Sequence, residues 1–267
     1  MESGNNETID LCWHKLHDEI KWDLLFEKMD NCKEFLLKLN LCGSQIISKF
    51  EIINKHLINL NSLTILDLSH NHLTFYEIKS LSDNFLSKNK TLLKLDLTKN
   101  EIMNEGANYL FETIKQSNRL QTLNLTSNKI KKFDVIFEVL KKNDSLTDLN
   151  LSENKFEQNG DLLCKMLRKN HTLTNITLHY SFKLEGEKLL NALEKNDSIS
   201  NISLIGYNFG IFLPILFLFL FLLFSFLFLI FLFLIFLFLI FLFLIFLFLK
   251  FLFFKVILLL LQSTKFC

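Results

Sequence analysis

The sequence predicts an α/β solenoid: short parallel strands stacked along one face, helices along the other, and an all-apolar stretch behind them. Two observations predict the solenoid. The pattern Leu-x-x-Leu-x-Leu-x-x-Asn-x-apolar occurs four times, beginning at Leu63, Leu92, Leu120 and Leu146, at spacings of 29, 28 and 26 residues. Self-similarity at a period in the twenties marks a stacked array rather than one closed core. Between the copies, apolar residues recur at helical spacing, as at Ala107, Leu110, Phe111 and Ile114. A third observation concerns the tail: from Ile211 to Leu249 no residue is charged.

The N-terminal stretch comes first. Residues 8–35 read as one or two helices, with Ile9, Leu11, Trp13, Leu16, Ile20, Leu24 and Leu25 as the apolar positions. Residues 1–35 are therefore expected to form a helical cap, because the end of a solenoid needs a unit that shields its apolar face. Cys12, His14, His17 and Cys32 carry metal-ligand letters. Cys12 and His14 stand two apart, which turns them to different helix faces, and structural zinc takes four preorganised ligands. The expectation is ordinary surface residues, with no metal and no cofactor.

The repeats follow over residues 36–209. In each copy the second and third Leu alternate along a short strand and point to one side. One turn cannot bury its leucines alone, so it stacks on the next. Asn71, Asn100, Asn128 and Asn154 fall where the chain bends out of the strand. A side-chain amide both donates and accepts, so stacked Asn residues suit a buried ladder that satisfies backbone groups in the bend. Weaker copies begin at Leu36, Leu173 and Ile199, with Ser44, Ser181 and Tyr207 in the Asn slot. That makes seven repeats, degraded at the ends as terminal units are. Helices are expected over 104–117, 161–168 and 187–193.

The strand motif followed by Asn100-Glu-Ile-Met-Asn-Glu-Gly106-Ala107, a helix and Ser117-Asn-Arg-Leu120 resembles the ribonuclease-inhibitor class of leucine-rich repeats. Asn159-Gly160 and Glu185-Gly186 repeat part of the Glu-Gly-Ala box. That class also occurs in NOD-like receptors and in Ran GTPase-activating protein. The resemblance covers residues 36–209 and implies a horseshoe, strands on the concave side and helices on the convex side. No stretch reads as a nucleotide-binding domain, so a complete NOD-like receptor is excluded.

Strand alternation picks out the residues that face away from the leucines. The partner-binding candidates are Lys38, Asn40, Asp67, Lys94, Asp96, Asn124, Asp148 and Asn150, with Tyr180 as an aromatic anchor just past its strand. Solenoids present extended concave binding surfaces, and Tyr is enriched at hot spots. The alternative is a solvated sheet face with no partner.

No catalytic constellation appears: no Gly-x-Ser-x-Gly, no phosphate-binding loop, no His-Glu-x-x-His. The net charge of +1 divides into 26 basic against 28 acidic residues over 1–210, with three Lys beyond. That is no electrostatic footprint for nucleic acid. The five cysteines are odd in number and scattered, which suits free thiols in a reducing compartment. The expected function is a non-catalytic protein-interaction module whose partner is another protein. The alternatives are a GTPase-activating regulator, by fold analogy, and a truncated chain without independent function.

Residues 210–267 are a low-complexity Phe/Leu tail. An uncharged apolar stretch beyond about 18 residues reads as a membrane span. Residues 211–249 are thus expected to hold the repeats on the cytosolic side of a membrane, as a single anchor or a helical hairpin. A chain made without the tail is expected in the cytoplasm.

Overall fold

The computed structural model describes residues 7–14, 19–115, 119–154, 160–179 and 186–205. All belong to one compact unit, Met1–Asn208. The membrane span expected over 211–249 lies outside the described residues, as do Tyr180, Ser181 and Tyr207. Among the described residues no helix is long and apolar enough to cross a membrane.

Strand and helix alternate along the chain. Strand β1 is Glu7–Asp10, α1 Glu19–Asn31, β2 Leu36–Asn40, α2 Phe50–Leu57 and β3 Ile65–Asp67. Then come α3 Phe75–Leu81, β4 Lys94–Asp96, α4 Met103–Ile114, β5 Thr122–Asn124 and α5 Asp134–Leu140. The series closes with β6 Asp148–Leu151, α6 Asp161–Leu167, β7 Asn175–His179, α7 Gly186–Glu194 and β8 Asn201–Ile205. The eight strands form one sheet in chain order, and every neighbouring pair is parallel.

Register follows the leucines. Ile9, Leu39, Leu66, Leu95, Leu123, Leu149, Ile176 and Ile202 pair across the sheet in one row. All but Ile202 are buried, against helix residues such as Ile53, Ile78, Leu110, Phe137 and Leu163. A one-residue slip would turn the whole row into water, so the register is strongly specified. Each fully buried Leu or Ile contributes about 1.5–3 kcal/mol relative to exposure.

Local chemistry sets the helix starts. Thr74 accepts the Tyr76 N–H, and its own backbone N–H reaches Glu77 at 2.8 Å, a reciprocal cap for α3. Gly106 lies one turn into α4. A Cβ there would stand 2.6 Å from Ile102 and 3.4 Å from the backbone of Phe75, so glycine lets α4 settle against the start of α3.

The N-terminal stretch corrects the sequence reading. Residues 7–10 form a strand, not the start of a helical cap, and among the described residues the first helix is Glu19–Asn31. Ile9 and Leu11 alternate with Thr8, Asp10 and Cys12 as Leu39 and Leu41 do in the next turn. The open edge of β2 offers backbone groups that a helix could not pair. Among the described residues the array thus has eight strands where seven were expected.

Candidate functional site

The bends at the two ends of each strand determine which side chains remain free. Past the strands, Asn71, Asn100, Asn128 and Asn154 are buried. Each donates to the carbonyl of the preceding turn: Asn71 to Leu41 at 2.7 Å, Asn100 to Leu68 at 3.0 Å, Asn128 to Leu97 at 2.8 Å and Asn154 to Leu125 at 2.8 Å. Ser44 does the same to Leu11 at 2.6 Å. The residue before each of these slots has a left-handed backbone: Gly43, His70, Lys99, Ser127 and Glu153.

Before the strands runs a second ladder that the sequence reading missed. Asn89, Asn143, Asn170 and Asn196 each accept two N–H groups of the incoming chain, as Asn170 does from Thr172 at 3.1 Å and Leu173 at 2.7 Å. Three of the amides reach back one turn, Asn143 to Ile114 at 3.5 Å, Asn170 to Leu140 at 2.7 Å and Asn196 to Leu167 at 2.6 Å, while Asn89 donates to the Thr91 hydroxyl. The signal is an Asn-x-Ser/Thr triplet placed three residues before the first apolar residue of a repeat.

Between the ladders lies the sheet face opposite the helices. It presents two rows. The first is Thr8, Lys38, Ile65, Lys94, Thr122, Asp148, Asn175 and Asn201. The second is Asp10, Asn40, Asp67, Asp96, Asn124, Asn150, Thr177 and Ser203. A trough on this face, between Thr122 and Thr177, holds about 230 Å³. All the candidates from Lys38 to Asn150 therefore share this face.

They do not share one role. Every Asp or Asn of the second row accepts the backbone N–H two residues on: Cys12 to Asp10, Cys42 to Asn40, Ser69 to Asp67, Thr98 to Asp96, Thr126 to Asn124 and Ser152 to Asn150, at 2.8–3.1 Å. These side chains end the strands by local turns. Asp96 also takes the Asn124 amide at 3.2 Å, and Asp148 takes the Asn175 amide and the Thr147 hydroxyl. Lys38 and Lys94 are different: neither side chain forms a hydrogen bond or ion pair among the described residues, and Ile65 lies half-buried between them.

At the strand exits sits an aromatic residue that the sequence reading places on a helix. Trp13 is 62% exposed with a left-handed backbone, φ 60°. Its ring covers Gly43 and meets His70 edge-on at 5.0 Å. Further along this edge, Glu101 pairs with Lys129 at 2.8 Å and His72 at 3.3 Å, and these partners, Lys129 foremost, hold its carboxyl below the usual range. Beside them a groove of about 740 Å³ opens between Met103, Glu105, Ser127, Lys131 and Glu153.

Two family models match within this array. One, described as Leucine Rich Repeat, matches residues 62–85; the other, described as Leucine Rich repeat, matches 88–111. These are leucine-rich repeats. No curated protein matches the chain in sequence. Among solved structures, leiomodin-1 actin-binding site 2 aligns at 20% identity and TM-score 0.40, covering 66% of this chain and 88% of that one. The tropomodulin C-terminal domain of Caenorhabditis elegans aligns at 19% identity and TM-score 0.45, covering 55% and 92%. Neither likeness bears on what the present leucine-rich repeats bind.

Arg119 and Arg168 both stand on connections that run from helix to strand, not on the open face. Among the described residues no three His, Cys, Asp or Glu side chains gather to hold a metal ion.

Proposed function

We propose that the chain is a protein-binding module whose partner lies along the first turns of the open sheet face. One observation carries the reading. Lys38, Ile65 and Lys94 stand in register on a face without helices, and the two lysines are uncommitted, while their row-mates Asp148 and Asn175 bond each other. An apolar residue flanked by two cations fits a partner segment that offers an apolar side chain between carboxylates. Trp13 and His70 extend this surface at the strand exits, and exposed Trp is a strong source of hot-spot energy.

The test is photo-crosslinking from position 65 in the full chain, against a control position on the helix side, Glu51. The expected result is a crosslinked protein at 65 that Lys38→Glu with Lys94→Glu abolishes and Lys55→Glu leaves intact. Equal crosslinking from both positions, or insensitivity to the paired reversal, would overturn the reading.

A further inference from the structure

Cys12 and Cys42 are 30 residues apart in sequence and neighbours in space. Asp10 pairs with Asn40 across the first two strands. Two residues on, each cysteine N–H is held by the side chain of that pair: Cys12 by Asp10 and Cys42 by Asn40, both at 3.1 Å. The next backbone bond, Trp13 N–H to the Cys42 carbonyl at 2.7 Å, locks the two turns at this level. The Cys12 and Ser69 side chains both bear on the Cys42 thiol. Adjacent strands run about 4.8 Å apart, inside the Cα separation that a disulfide spans. Among the described residues Cys32 and Cys164 lack such a neighbour: Cys32 donates to the Lys28 carbonyl at the end of α1, and Cys164 is buried in α6.

We infer that Cys12 and Cys42 form an oxidative modification site, closing to an intramolecular disulfide on exposure to hydrogen peroxide. Cys12 is the half-exposed member and meets the oxidant; Cys42 is buried beneath it. The Cys12 sulfur attacks one peroxide oxygen, the O–O bond breaks, and the thiol proton leaves on the departing hydroxide as water. The Cys42 sulfur then attacks the sulfenic sulfur, the S–O bond breaks, and the Cys42 proton leaves with that hydroxide as a second water. Two thiols lose two electrons and two protons, and one peroxide becomes two waters. Burial holds the Cys42 thiol up at about 11, so its resting form is the neutral thiol. The bond would tie the terminal strand β1 to β2 and close the loop that contains α1.

The test is peptide mapping of the full chain after mild peroxide treatment without reductant. Trypsin separates the thiols, because residues 1–15, 29–33 and 39–49 each carry one cysteine. The expected result is a linked pair of 1–15 with 39–49, reversed by dithiothreitol and absent when the chain is first unfolded in urea. Disulfides quench nearby indoles, so Trp13 emission should fall on oxidation, and not in Cys42→Ser. Recovery of Cys12 as a sulfinic acid, or joined to a second chain, with Cys42 still free would overturn the proposal. So would a linked pair that uses Cys32.

Discussion

The side-chain oxygen of Asn100 accepts the backbone N–H of Asn71 at 3.1 Å, one full turn upstream, and that of Leu73 at 2.9 Å. Asn154 serves Asn128 and Ile130 in the same way, at 2.9 and 3.0 Å. Asn128 does not: its oxygen is buried without a partner. The turn it faces is different, with the left-handed residue at Met103 and the Glu101 N–H turned back to Leu73 at 2.8 Å.

This fault makes the two Asn residues unequal. Asn100→Ala strands two buried N–H groups, while the carbonyls of Leu68 and Leu97 keep the Asn71 and Asn128 amides, and should cost about 2–6 kcal/mol at 1–3 kcal/mol per unsatisfied group. Asn128→Ala strands no such group, because the Leu97 carbonyl keeps the Asn100 amide and the Thr126 carbonyl keeps the Lys99 N–H, and should cost about 1 kcal/mol. Denaturant midpoints of the two variants measure the difference. Amide exchange gives a sharper check: Asn71 and Leu73 should lose protection in Asn100→Ala and keep it in Asn128→Ala.

Gly43 is the second test. Its φ is +63°, and a Cβ would stand 2.4 Å from the Trp13 ring. Gly43→Ala should cost about 1–2 kcal/mol from the left-handed backbone and also push the indole off its seat. Trp22, the only other Trp, is 3% exposed. A change in the accessible part of the emission therefore reports Trp13. Combining Gly43→Ala with Trp13→Ala should recover the steric share and leave the backbone share.

Asp83 connects α3 to α4. Its carboxyl accepts the Tyr109 hydroxyl at 2.6 Å and pairs with Lys79 at 3.2 Å, and these partners, the hydroxyl foremost, hold it below the usual carboxylate range. A lowered folded pKa gives stability that is present above the unfolded value, about 3.9, and lost as pH falls through the folded one. Tyr109 is raised by the same bond, so its contribution is present below about 10 and lost as pH rises further. Unfolding midpoints against pH should fall off at both ends, and Tyr109→Phe should flatten both limbs. A Tyr109→Phe profile parallel to wild type would show that the bond does not couple to folding.

Neighbours on β4 should part company. Asp96→Ala removes the acceptor for the Thr98 N–H and the Asn124 amide, so it should lower stability by about 1–3 kcal/mol. Lys94→Ala should stay within about 0.5 kcal/mol of wild type, as uncommitted surface positions do. Partner crosslinking should respond in the opposite order, weakly to Asp96→Asn and strongly to Lys94→Glu.

Much of the fold could be read before the structure because leucines at alternate positions have one interpretation once they recur at a fixed period. Ile9 and Leu11 were harder. Ile9, Leu11 and Trp13 alternate as a strand does, and the reading joined them to the helical run of Leu16, Ile20, Leu24 and Leu25 that follows. The second Asn ladder was hidden by the abundance of Asn. Its constant offset, Asn89 before Leu92, Asn143 before Leu146, Asn170 before Leu173, Asn196 before Ile199, was the readable part. On the sheet face, strand alternation located the side chains and left their duties open. Asp96 and Lys94 both point outward, and only the turn conformation shows that one of them is spent on its own backbone.

The second ladder has a consequence for N-linked glycans. Asn170-His-Thr172 and Asn196-Asp-Ser198 are acceptor triplets by letter. Glycosylation replaces a hydrogen on the side-chain nitrogen. In Asn196 that nitrogen donates to Leu167 at 2.6 Å and Asn170 at 2.8 Å, and in Asn170 it donates to Leu140 and Asn143. Neither folded amide has a hydrogen to give up, so at these positions a sugar and the closed turn exclude each other.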